Sequence, residues 1–114
     1  MTNKISLHFP QPKDLWGDYT VEHWTRQQRG WFEIWLHALA STIIFAEQST
    51  IDRVNPFVQL IIKQAKEGNL TYQDAVTSVR PVDVFTKEEL EYIRSDMEQN
   101  GVSIGAGFRS AMIS

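Results

Sequence analysis

The chain has 114 residues, a formal net charge of −3 and ordinary hydrophobic and charged fractions, the size and make-up of one globular domain. It has no cysteine, which excludes disulfides, thiol catalysis, iron–sulfur clusters and thiolate metal sites. The acidic balance argues against a nonspecific nucleic-acid binder, which carries a basic stripe, and against a surface drawn to anionic lipid.

Residues 1–18 read as an extended arm. Pro10 and Pro12 push the residues before them out of helical geometry, and Leu7, Phe9, Leu15 and Trp16 are apolar enough to pack on this domain or in a partner's groove. Met1–Lys13 holds no apolar stretch of signal-peptide length, so a cytoplasmic location is expected.

A long first helix is expected from Asp18 or Thr20, either of which can cap exposed backbone N–H groups, to about Gln48. Gly30 is its weak point, costing about 1 kcal/mol against alanine in a helix interior. The helix bends or breaks there, or the glycine admits another backbone. Trp31–Ala46 is apolar nearly all round, which marks a central helix wrapped by other elements. It is too short for a membrane span and contains Glu33 and His37.

Ser49–Asn55 reads as a connection, with one helical turn that Thr50 would cap. Asn55-Pro56 signals a helix start, because proline at the first helical position sacrifices no hydrogen bond. Phe57, Val58, Ile61, Ile62 and Ala65 then recur at helical spacing until Gly68 ends the helix. Thr71–Asp74 resembles a capping box for a short helix bearing Tyr72, Ala75, Val76 and Val79 on one face. Arg80-Pro81 stops it, and residues 82–85 read as extended. Thr86–Glu89 is a full capping box, with Phe85 and Leu90 at the positions of a hydrophobic staple. The helix it starts runs to about Gln99 on a narrow stripe of Leu90, Ile93 and Met97.

These signals predict an all-α, single-domain bundle of four to five helices around the central apolar helix. The extended N-terminal arm covers 1–18 and the helical domain 19–101. Residues 102–114 form a flexible or partner-ordered tail, in which Ile104, Phe108 and Met112 share a face.

The chemistry-bearing residues give no catalytic or cofactor set. Glu33 and His37 stand at i and i+4, with His23 further toward the N-terminus, yet a metal site needs three or four ligands and no second helix supplies Glu-x-x-His. No nucleophile elbow is present, and the glycines at 101, 105 and 107 follow a helix rather than a strand and lack the phosphate-loop lysine. Forcing residues 72–99 into a helix-turn-helix leaves a connection too long and a recognition helix that repels phosphates.

The expectation is therefore a non-enzymatic interaction module, a subunit or accessory factor engaging a protein partner or forming a homo-oligomer, with no direct nucleic-acid or membrane binding. Trp24, Trp31 and Trp35 lie on one stripe, and Trp31 and Trp35 read as its core seam. Trp16 and Trp24, with Phe9, read as interface anchors because tryptophan is enriched at hot spots, and Arg26 and Arg29 would orient them. Two alternatives stand beside this. One is an acidic inhibitor that mimics nucleic acid through Asp83, Glu88, Glu89, Glu91, Asp96 and Glu98, six acidic residues against the basic Lys87 and Arg94. The other is a helical metal protein using His23, Glu33 and His37.

Overall fold

The computed structural model describes residues 10–102. Among them are six helices and no strand: α1 (Pro12–Trp16), α2 (Arg26–Ile43), α3 (Gln48–Lys66), α4 (Tyr72–Ser78), α5 (Pro81–Val84) and α6 (Lys87–Gln99). The all-α, single-globule expectation holds.

The central helix is shorter than the sequence suggested. Its cap is Thr25, whose side chain accepts the Gln28 N–H at 3.1 Å while Gln28 reaches back to the Thr25 N–H at 3.0 Å. Thr25-x-x-Gln28 is itself a capping box, so the signal was present but lay downstream of the chosen start. The buried stripe of this helix includes Phe32, Leu36, Leu39, Ala40 and Ile43. Residues of α3 and of the segments after it close over it, among them Val54, Val58 and Ile62, then Val76, Val79 and Ile93. α2 runs unbroken through Gly30, and among the described residues no atom of another element lies within 4 Å of where its Cβ would stand. Neither the bend nor the close approach expected at this glycine is found.

Residues 12–16 are helical rather than extended. α1 packs against both α2 and α3, and the Trp16 indole N–H donates to Asn55 Oδ1 at 2.9 Å. This contact also bears on the second long helix. Its stripe of Thr50, Val54, Val58, Ile61, Ile62 and Ala65 continues on both sides of Pro56, so burial carries α3 straight through residues 49–55 and leaves the proline inside the helix. Packing there overrides the local start signal. The same signal is genuine at Arg80-Pro81, where the extended backbone of Arg80 leads into α5 with Pro81 in its first turn. That short helix replaces the expected extended stretch. Gly68, at φ +79°, ends α3 in left-handed backbone as expected.

α6 follows its sequence closely. Thr86 and Glu89 form the reciprocal cap, and Ile93 and Met97 are buried. Glu89 also accepts from Arg53 and from the Thr50 hydroxyl, while Arg53 donates to the Val84 carbonyl at 3.3 Å. This node ties α3 to the end of α5 and the start of α6. No helix among the described residues is long and apolar enough to cross a membrane.

Candidate functional site

The tryptophans exchange the roles that the sequence suggested. Trp24 precedes the helix rather than riding on it, so the presumed stripe with Trp31 and Trp35 does not exist. It folds back and meets Phe32 edge-to-face at 5.2 Å and Tyr72 at 5.4 Å. Trp16 is 5% and Trp24 7% exposed. Both belong to this chain's own core, which corrects their assignment as partner anchors. Trp31 is 47% exposed, which corrects its assignment to the core seam; Trp35 is half-buried at the edge of the core, under the Arg80 guanidinium. The cause is a phase difference of one residue: Phe32 faces inward, and Trp31, about 100° behind it on the helix, faces out.

The outward side of α2 therefore carries an apolar strip, with Trp31 joined by Ile34, which is 54% exposed, and by the partly exposed Ala38. A smaller exposed pair, Phe57 and Leu60, lies on α3. Scattered exposed apolar residues are ordinary on a protein surface; a tryptophan and an isoleucine one turn apart are a patch.

Beside this strip is a surface groove of about 740 Å³, between the α1 region and the first turns of α2. Lys13, Arg26 and Arg29 line it with positive charge, and Asp18 and Glu33 with negative. Tyr19, Thr20 and Gly30 complete the wall. Three of these groups, Tyr19, Glu33 and Asp18, are held by neighbours. The Tyr19 hydroxyl donates to Glu33 at 2.6 Å, and Glu33 lies 3.9 Å from His37. Burial and the Glu33 carboxylate together push the Tyr19 phenol up to about 12. Asp18 accepts the Thr20 N–H at 3.1 Å and pairs with Lys66 at 3.3 Å; these bonds, led by Thr20, hold its carboxyl below the ordinary aspartate value.

The three cations differ from these groups. None makes a side-chain hydrogen bond or ion pair among the described residues, whereas Arg53, Lys66, Arg80 and Arg94 are each paired with a carboxylate. Arg26 and Arg29 also stand in the first turn of a helix that has no acidic residue there, the reverse of what the helix dipole favours. With Asp18 paired to Lys66, the three cations outnumber the remaining groove carboxylate, Glu33, so an anion entering the groove meets an excess of positive charge.

The other candidates from the sequence sort as follows. Phe9 and the apolar tail residues Ile104, Phe108 and Met112 lie outside the described residues. Arg26 and Arg29 are exposed, and the groove brings Lys13, which the sequence reading missed, together with them. No motif marks that lysine; it reaches the site only because α1 folds against α2. His23 packs edge-on to Trp24 at 6.3 Å, and no group of three histidine or carboxylate side chains among the described residues is placed to hold a metal ion. Of the six acidic residues, Asp83 pairs with Arg80, Glu89 with Arg53, and Glu91 and Glu98 both with Arg94. Glu88 and Asp96 have no ion pair among the described residues. Comparison with protein families, curated proteins and solved structures finds no match to this chain.

Proposed function

We propose that the protein is a non-enzymatic protein-interaction module, and that the outward face of α2 is its contact surface. The observation that carries this reading is the half-exposed Trp31 beside Ile34 on a helix whose opposite face is fully buried. Tryptophan contributes a large, rigid contact area with a hydrogen-bonding edge, and is enriched where binding energy concentrates. Burying Trp31 and Ile34 against a partner removes apolar surface from water at about 25 cal/mol per Å².

The test is quantitative affinity capture from the native source with the wild type and a Trp31→Ser/Ile34→Ser variant of unchanged helical content. A protein retained by the wild type and lost by the variant is the expected result; equal recovery with both contradicts the reading. The acidic-mimic alternative draws less support, because four of its carboxylates are engaged by this chain's own arginines. The metal alternative draws none from the placement of His23, Glu33 and His37.

A further inference from the structure

The groove beside Trp31 has two features that the chain itself leaves unexplained. The first is a set of three cations with no ion pair among the described residues, Lys13 from α1 and Arg26 and Arg29 from α2. The second is Gly30 in the groove wall. A glycine inside a helix is destabilising; this one has no left-handed backbone to justify it and no neighbour that a Cβ would strike. What it does provide is a low, open stretch of helix between the cations and the apolar strip. At 3.6 residues per turn, Gly30 lies angularly between Arg26 and Ile34, so charge, gap and apolar strip run side by side along one half of α2.

We infer that this groove receives the acidic side chains of an amphipathic partner segment whose apolar residues lie on Trp31 and Ile34. The inference rests on the reading of α2's outward face as the contact surface, and adds the chemistry of the partner. Charge complementarity selects the acidic flank, and the apolar strip selects a helix with residues at i, i+3 and i+4. A nucleic acid fits less well. A phosphate backbone leaves the Trp31–Ile34 strip without an apolar partner, and its continuous charge runs past Asp18 and Glu33 as well as the cations, whereas separate acidic side chains can sit on the cations alone.

Fluorescence anisotropy tests this with two labelled helical peptides sharing one leucine stripe, one flanked by glutamates and the other by glutamines. The 114-residue chain is expected to bind the glutamate peptide about tenfold more tightly than the glutamine one at low salt, with the preference shrinking as salt rises. The Lys13→Glu/Arg26→Glu/Arg29→Glu variant is expected to lose the preference. Gly30→Leu, which fills the gap, is expected to weaken both peptides. A blue shift of Trp31 emission, absent in Trp31→Phe, places the peptide on the strip. Equal binding of the two peptides, lost in Trp31→Ser/Ile34→Ser, overturns the acidic partner while leaving the interaction surface standing. Binding of neither peptide, or tighter binding of a single-stranded or duplex oligonucleotide, overturns the inference too, and the capture experiment then decides the underlying reading alone.

Discussion

Gly30→Ala is expected to make the isolated protein more stable. α2 is unbroken across this position, and the space a methyl group would enter is empty, so the substitution gains the helix-propensity difference without a clash. That difference is about 0.8–1.0 kcal/mol, part of it from the reduced freedom of the unfolded chain. For a domain near 100 residues this corresponds to a rise in Tm of about 4–8 °C. Far-ultraviolet circular dichroism during urea and thermal unfolding measures it, with coincident transitions by tryptophan fluorescence as the check on two-state behaviour. The same substitution narrows the groove that is proposed to hold the partner, so stability is expected to rise while affinity falls, a trade seen where a site is kept at the expense of the fold. A variant no more stable than the wild type, or less so, would refute the reasoning, because residue 30 would then not lie in open, regular helix.

Trp16→Ala removes a core side chain and leaves Asn55 without its indole donor; a loss of about 3–5 kcal/mol is expected by urea unfolding, against a loss within about 0.5 kcal/mol for Trp31→Ala, whose side chain is half in solvent. Pro56→Ala restores a helical N–H at an exposed position inside α3 and is expected to stabilise by about 2 kcal/mol after the unfolded-state entropy is set against it; a loss in thermal unfolding would contradict the continuous helix. Thr86→Ala opens the α6 cap and is expected to cost about 1 kcal/mol, with amide exchange accelerated first in residues 87–90. The Tyr19 phenol, held neutral by burial and Glu33 up to about 12, is expected to give its ultraviolet tyrosinate signal, in a difference titration against Tyr19→Phe, only near that pH. Because its folded value lies above the ordinary 10, its contribution to stability is fully present below pH 10 and lost as pH rises through about 12. A Tyr19 difference signal centred near pH 10, the ordinary phenol value, would remove the Tyr19–Glu33 bond from the account.

The sequence disclosed those elements whose local chemistry and burial agree. At α6 the cap, the staple and the narrow stripe all point one way, and the helix is found between Lys87 and Gln99. At α2 the two disagreed: Asp18 and Thr20 looked like caps, but Thr25 is the cap, which leaves Trp24 outside the helix. Without Trp24 to define the stripe, Phe32, Leu36 and Leu39 set the buried face and Trp31 lies off it. Pro56 was misleading for a different reason, since Val54 and Val58 are buried on either side of it and tertiary packing offsets the lost hydrogen bond. The groove was only half legible. Arg26 and Arg29 were read from the sequence as residues that orient the tryptophan anchors, but Lys13 joins them through the docking of α1, a long-range event that no short motif encodes.

Oxidative footprinting of Trp31 and Ile34, in the isolated protein and again with the captured partner bound, tests the central claim most directly. Both side chains should be labelled readily in the isolated protein, while Trp16 and Trp24 resist, and both should become protected in the complex. Labelling of Trp31 and Ile34 that stays the same in the complex, or protection already complete in the monomeric chain, would contradict it.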